Sequence, residues 1–192
     1  MARASVLSTA DVRRGAVVDS ALTEFARSGY LGTSVATIAT GAGISPAYVF
    51  KLFPGKEPLF VAALDECFRQ VVDALETGAS SAEAGSAPEH VLDRMGDAYA
   101  SLIADRRLLM LQVHAQSAAD VPEIRAALRR GLERVTLFAK SRSGADDADV
   151  QRFIAFGQLC HLIVTTGLDS DSAPWASLIA HGFRHPDFDE RL

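Results

Sequence analysis

The chain has 192 residues, of which 48% are hydrophobic and 22% charged, and its net charge is −5 at pH 7. This composition is typical of a globular protein with one or two modest cores. The N-terminal residues contain no apolar stretch of signal-peptide length, and the longest uncharged run, residues 153–168, is too short to span a membrane. We therefore expect a cytoplasmic protein without a membrane partner. No segment alternates as strands do, which predicts an all-α fold.

The net charge is unevenly distributed along the chain. Residues 1–56 contain six Lys and Arg against three acidic residues, whereas the remainder contains 13 against 21. A basic N-terminal segment attracts a polyanion such as nucleic acid, and the acidic remainder repels it. This asymmetry predicts that any nucleic-acid contact lies near the N-terminus.

The first predicted helix covers about residues 10–28. Its buried stripe contains Val17, Ala21 and Phe25, and Gly29 is expected to end it. Arg13 and Arg14 lie in its first turns, where they are either solvated surface charges or contacts to phosphate.

Two short helices joined by a tight turn follow between residues 33 and 53. Ser34 is positioned to cap the first helix, and Gly43 provides the left-handed residue of the turn. Ser45 caps the second helix, with Pro46 in its first turn, and Pro54 stops it. This pattern predicts a helix-turn-helix, whose second helix enters the DNA major groove.

The stretch TSVATIATGAGISPAYVFKLFPGKEPLF, Thr33–Phe60, resembles the N-terminal domain of the tetracycline-repressor (TetR) family of bacterial transcription regulators. The resemblance extends back to Arg13, and position 50 departs from it, since the family often has Tyr where this chain has Phe50. It implies a DNA-binding domain at residues 1–56 and a helical effector-binding and dimerisation domain at residues 57–192. The DNA-binding residues that we predict are Arg13, Arg14, Thr33, Ser34, Ser45, Pro46, Ala47, Tyr48, Lys51 and Lys56.

The second helix of this unit has few groups that read bases. Tyr48 and Lys51 supply hydrogen-bonding groups, whereas Pro46 and Ala47 offer only apolar contact to a thymine methyl group. Lys56 begins the next helix, where its ammonium and the helix N–H groups are placed to face a phosphate. An ordinary exposed lysine is the alternative for Lys56.

Helix four, about residues 56–76, is apolar over so wide an arc that we expect it to contact both domains. Residues 77–87 are mostly small and are predicted to form a mobile linker. Ser86 and Glu89 are predicted to form a capping box that opens helix five.

Helix six, about residues 106–118, is apolar nearly all round yet carries Gln112, His114 and Gln116. Such buried polar groups need a partner, either another side chain or a ligand. Apolar faces of helices four to seven, the last covering residues 122–142, are expected to enclose a largely apolar effector with one or two hydrogen-bonding atoms. The predicted ligand-binding residues are Phe68, Met95, Tyr99, Leu109, Gln112, His114 and Phe138.

Helix eight, about residues 146–168, is apolar on every side, so we expect it to be covered by a second, identical chain. The predicted dimer contacts are Phe153, Phe156, Gly157, Cys160, Val164 and Trp175. A last short helix is expected at residues 173–183, followed by a frayed acidic tail at residues 186–192.

The leading hypothesis is therefore a homodimeric repressor that an effector releases from a palindromic operator. One alternative is a helical small-molecule-binding protein or enzyme whose first helices only resemble a DNA reader, although no catalytic constellation is evident. Redox sensing through Cys67 and Cys160 is another. We predict no cofactor and no metal: His181 and His185 are four residues apart, but Gly182 and Pro186 disfavour a helical metal pair.

Overall fold

The computed structural model describes residues 9–182. This part of the chain contains nine α-helices and no strand, which confirms the all-α prediction. The helices are α1 (Thr9–Gly32), α2 (Val35–Gly41), α3 (Pro46–Leu52), α4 (Lys56–Ser80), α5 (Pro88–Leu102), α6 (Arg106–Ser117), α7 (Pro122–Ser143), α8 (Asp147–Thr166) and α9 (Pro174–Ile179). The predicted acidic tail at residues 186–192 and the predicted end of the last helix lie outside the described residues.

The N-terminal helices follow the predicted caps. Gly29 adopts φ 68°, which interrupts the regular helix before its last turn, and Thr33 Oγ1 donates to the Gly29 carbonyl at 2.8 Å. The side chain of Ser34 accepts from the amide of Thr37 at the start of α2. Ser45 does the same for Tyr48 at the start of α3. These caps satisfy amides that a short helix leaves without a partner.

Two predictions around the end of α4 are wrong. The helix continues to Ser80, so residues 77–80 are not a linker. A Cβ atom added to Gly78 would lie 2.3 Å from the carbonyl oxygen of Arg94, so the small residues here allow α4 and α5 to pack closely. The capping box is also absent, because the N-cap of α5 is Ala87 and the Ser86 hydroxyl donates to the Glu83 carbonyl instead.

Helix α4 is the central element of the fold. Its first turns pack on the N-terminal helices, where the Phe25 and Phe60 rings lie 4.7 Å apart edge to face. Its later turns pack against α5 and α7. One hydrophobic core therefore runs from Val17 in α1 to Val150 in α8, across the position where the sequence divides into two predicted domains.

Helix α6 also connects the N-terminal helices with the C-terminal helices, since it packs along α1. Arg107 at its start donates to Thr23 Oγ1 at 2.8 Å and lies 3.8 Å from the Asp19 carboxylate. One turn before its end, the His114 ring lies directly against the backbone of Gly29. Among the described helices, none has the length and apolar character that a membrane crossing requires.

Candidate DNA-binding surface and effector cavity

The outward face of α3 carries four exposed residues. Val49 is fully buried beneath the helix, whereas Pro46, Ala47, Phe50 and Lys51 are exposed. Phe50 is 53% exposed, an unusual setting for a phenylalanine. Sequence reasoning noted position 50 only as a departure from a family pattern. Its exposure could have been inferred from its position on the helix, because Phe50 lies four residues after Pro46 and therefore on the same side.

Tyr48 lies at the side of this face and is half-buried. The Arg13 guanidinium is 5.4 Å from its ring centroid. Arg14 instead lies 4.1 Å from the Phe53 ring centroid and donates to the Leu52 carbonyl at 2.8 Å, which satisfies an acceptor at the end of α3. Arg13 is thus the arginine nearer to the predicted reading face, and Arg14 has a structural role.

The Lys56 ammonium lies where α1, α2 and α4 meet. It donates to the Thr33 carbonyl at 3.2 Å and lies 4.6 Å from the Tyr30 ring centroid. Ser34 follows at the exposed N-terminus of α2. The predicted residues Thr33, Ser34 and Lys56 are thus brought together, but Lys56 also stabilises the fold.

A cavity of about 410 Å³ lies between α4, α5, α7 and α8. Its walls are apolar, with Phe68, Leu75, Leu92, Val135 and Phe153 among the lining residues. Size and lining are typical of a site for a small, mostly apolar ligand.

Three of the seven predicted ligand residues, Phe68, Tyr99 and Gln112, line this cavity. Met95 and Leu109 are instead fully buried in the packed core. His114 points away from the cavity toward α1, since α6 presents Gln112 and His114 on different sides. Phe138 is half-buried on α7 and lies outside the lining. The prediction that these four residues contact a ligand is therefore not supported by their positions.

Polar groups meet beside the cavity, at its lining residues Tyr99 and Gln112. The Tyr99 hydroxyl is 2.6 Å from His161 Nε2, and Gln112 Nε2 donates to that hydroxyl at 3.4 Å. Burial lowers the pKa of His161 to about 4, so the imidazole is neutral, and burial raises the pKa of Tyr99. Within residues 9–182, no group forms a hydrogen bond with His161 Nδ1. Sequence reasoning did not select His161 as a site residue; its only signal was a polar side chain within an otherwise apolar helix.

The N-terminal helices match a known family model. The model described as "Bacterial regulatory proteins, tetR family" matches residues 17–63, which include α2, α3 and the start of α4. Residues 17–63 of this chain therefore resemble the TetR family.

Proteins that are similar over more of the chain are described as transcription regulators. The HTH-type transcriptional regulator BetI of Brucella canis is 27% identical over 132 residues, a match that spans 67% of this chain and 66% of the relative. A TetR-like transcriptional regulator from Rhodococcus sp. RHA1 superposes with a TM-score of 0.63 at 20% identity, covering 94% of this chain and 90% of that one. The regulator FadR from Bacillus subtilis, in complex with stearoyl-CoA, superposes with a TM-score of 0.65 at 18% identity, covering 86% and 92%. At these identities the two structures show a shared fold.

The outward face of α8 differs from the predicted dimer face. Cys160 and Val164 are buried, and Phe153 and Gly157 turn toward the cavity, because α5 and α7 cover the inner side of the helix. The large apolar side chains that are exposed on α8 and α9 are Phe156, Leu162, Trp175 and Leu178. Of the predicted contacts, only Phe156, which also lines the cavity, and Trp175 belong to this set of four side chains, which we call the α8–α9 patch.

The two cysteines have no exposed thiol. Cys67 is fully buried and its Sγ donates to the Leu108 carbonyl at 3.4 Å. Burial raises the pKa of Cys67 to about 12 and that of Cys160 to about 11. Thiolate formation, which thiol reactivity requires, is therefore suppressed at both positions. His185, the second member of the histidine pair, lies outside the described residues.

Proposed function

We propose that the protein is a homodimeric transcription repressor that a small, largely apolar effector releases from a palindromic operator. The observation that carries this proposal is the exposed face of α3, a capped helix of a TetR-like domain at the basic end of the chain. A face made of Pro46, Ala47, Phe50 and Lys51 has no function in packing this chain, because the core contacts of α3 come from its opposite side.

Base reading by this face is expected to be mostly apolar. Phe50 and Ala47 suit contact with thymine methyl groups, and Lys51 can donate to acceptors in the major groove. Lys56, the N-terminus of α2 and Arg13 supply contacts to the backbone phosphates. The expected operator is thus read through thymine methyl positions more than through guanine hydrogen bonds.

Two such units would be delivered together by a dimer. The α8–α9 patch supports this arrangement, because four large apolar side chains between 47% and 78% exposed are costly to leave in water. A two-fold axis through the patch would present two α3 helices to half-sites one helical turn, about 34–36 Å, apart.

An effector in the cavity would act on DNA binding through α6 as well as α4. Gln112 of α6 lines the cavity, and His114, two residues later, lies against Gly29 of α1. A shift of α6 on ligand binding therefore reaches the N-terminal helices directly. The FadR neighbour, whose structure is in complex with stearoyl-CoA, supports the proposal that this chain also binds an effector. Coupling of this kind typically runs about 1–3 kcal/mol.

The test begins with selection of bound sequences from a random DNA pool, followed by titration of the selected operator and of random DNA. If Phe50 reads bases, Phe50→Ala should cost roughly 1–3 kcal/mol on the operator and less on random DNA. Tyr48→Ala is the matched aromatic variant on the half-buried side of α3. We expect its loss of affinity to differ less between the operator and random DNA than the loss caused by Phe50→Ala. Failure to enrich any sequence, or equal losses on both DNAs for Phe50→Ala, would contradict the proposed reading face.

The phosphate contact is tested through salt. Lys56→Ala should weaken binding to all DNA alike and reduce the slope of log K against log salt by about one. Arg129→Ala removes the same charge from an exposed position on α7 and should leave the slope unchanged. An unchanged slope for Lys56→Ala would assign this lysine to the fold alone.

The dimer is tested by Leu162→Asp, which places a charge in the α8–α9 patch. We expect a monomer by light scattering and a loss of operator affinity. Leu137→Asp, at a 60% exposed leucine on α7, is the control and should remain dimeric. A Leu162→Asp protein that stays dimeric would show that the chains pair elsewhere.

A further inference from the structure

Gln112 is the one buried residue of the described cavity lining that carries an amide side chain. It is 5% exposed. The other buried residues of this lining have apolar side chains, apart from the thiol of Cys160. A strong hydrogen-bonding group in such surroundings costs free energy unless it has a partner. The partners of the Gln112 amide therefore decide what the cavity accepts.

The nitrogen of this amide is already engaged. Nε2 donates to the Leu108 carbonyl at 3.2 Å and to the Tyr99 hydroxyl at 3.4 Å, and that hydroxyl lies 2.6 Å from His161 Nε2. Because the Leu108 carbonyl can only accept a hydrogen bond, it selects the amide orientation that turns the NH₂ group toward it. These contacts hold the amide in one orientation.

The oxygen of the same amide is left as a free acceptor. Among residues 9–182, no donor binds Gln112 Oε1. This oxygen is not enclosed by protein atoms, because His161 Nδ1 is the only completely enclosed side-chain nitrogen or oxygen without a partner in that range. Since Gln112 lines the cavity, its Oε1 is reached from there. An apolar ligand would cover this oxygen and leave it unpaired, whereas a ligand with an O–H or N–H group would satisfy it.

We propose that the effector carries an uncharged hydrogen-bond donor on an apolar body, as an alcohol does, and that this donor binds Gln112 Oε1. The inference rests on the proposed function of the cavity as an effector site, and it makes Gln112 a specificity-determining residue. Carboxylates and ethers offer only acceptors, so neither pairs with this oxygen. An ammonium group would donate, but it would lose its hydration against mostly apolar walls.

The experiment compares octan-1-ol with its isomer 1-methoxyheptane, which contains the same atoms but no O–H group. Octanoate and octylammonium are the charged compounds of similar chain length. Binding of each to the full chain is measured by calorimetry, and release of the selected operator is measured in parallel. We expect octan-1-ol to bind about ten-fold more tightly than 1-methoxyheptane, because the ether covers Oε1 without pairing with it. Both charged compounds should bind more weakly than the alcohol.

The role of the amide is tested by Gln112→Met, which keeps a flexible side chain of similar length. This variant should bind octan-1-ol and 1-methoxyheptane with equal affinity. Gln158→Met is the matched control. Gln158 also lines the cavity, but its Oε1 already accepts from Gln116 Nε2 at 2.7 Å, so this variant should keep the preference for the alcohol.

The comparison of compounds on the wild-type chain stands whether or not a variant folds. Equal affinity for the two isomers, or tighter binding of the ether or of a charged compound, overturns the inference and leaves the cavity as an effector site. A preference for the alcohol that survives in Gln112→Met also overturns it. If none of the compounds binds, both the inference and the effector role of this cavity fail. If octan-1-ol binds with the expected preference without releasing DNA, only the repressor mechanism fails.

Discussion

Acid should destabilise this protein through His161. Its side chain is 4% exposed, and burial lowers its pKa to about 4, against 6.5 for an ordinary imidazole. Between these two pKa values the unfolded chain binds a proton that the folded chain does not, so unfolding is favoured as the pH falls. The stabilising contribution is complete above pH 6.5 and is lost progressively toward pH 4. From about pH 7.5 to about pH 5, this single group should reduce the free energy of unfolding by about 2 kcal/mol.

The measurement is urea unfolding at the two pH values and at one protein concentration, since the stability of the proposed dimer would depend on concentration. The comparison protein is Tyr99→Phe/His161→Leu, which removes the titrating imidazole together with the hydroxyl that would otherwise lose its partner. The remaining histidines and the carboxylates are common to both proteins, so their contributions cancel in the difference. The double variant should lose about 2 kcal/mol less than the wild type over this range. An equal loss in both proteins would refute the argument from His161.

Three further predictions concern packing, thiols and coupling. Gly78→Ala should lower the free energy of unfolding, measured in urea, by roughly 1–3 kcal/mol, because the added methyl group meets the backbone of α5. Gly96→Ala, with open space around the added methyl group, should raise the free energy of unfolding by up to about 1 kcal/mol. Cys67 and Cys160 should react with a thiol reagent far more slowly in the native than in the urea-unfolded protein, and mild peroxide should leave operator binding unchanged; rapid labelling would restore the redox hypothesis. Arg107→Ala should preserve the affinity of a cavity ligand but reduce its effect on operator affinity by roughly 0.5–2 kcal/mol, measured by operator titration with and without the ligand; an unchanged effect would show that this α6–α1 contact carries no coupling.

The sequence predicted the N-terminal helices well because their boundaries depend on local chemistry. The side chains of Ser34 and Ser45 each accept a hydrogen bond from the amide three residues later. Gly43 adopts the left-handed conformation, φ 65°, that the turn between the two helices needs. Ser86 shows the limit of this reasoning. It has the sequence pattern of a cap, yet Ala87 occupies the N-cap position, because the path of the chain between α4 and α5 decides which residue starts the helix.

The C-terminal site was harder to predict because its helices are apolar on several sides. Periodicity alone does not say which side of α6 or α8 faces a neighbour. His114 and Gln112 are both polar residues of one apolar helix, but only the packing of α1 shows that His114 belongs to the interface between α6 and α1. Likewise, Phe156 and Cys160 are both apolar and one turn apart, and the position of α5 decides that only Phe156 is exposed.

The length of α4 has a mechanical consequence. Its 25 residues correspond to a rod of about 37 Å, which is held closely against α5 at Gly78 and begins at Lys56, beside the N-terminus of α2. If an effector tilts this rod about its Gly78 end, the opposite end moves most. A tilt of about 5° at the pivot would displace the Lys56 end by about 3 Å, comparable to the length of a hydrogen bond to a phosphate. A sub-ångström repacking near the cavity would thus be large enough, at the far end of the helix, to break a phosphate contact.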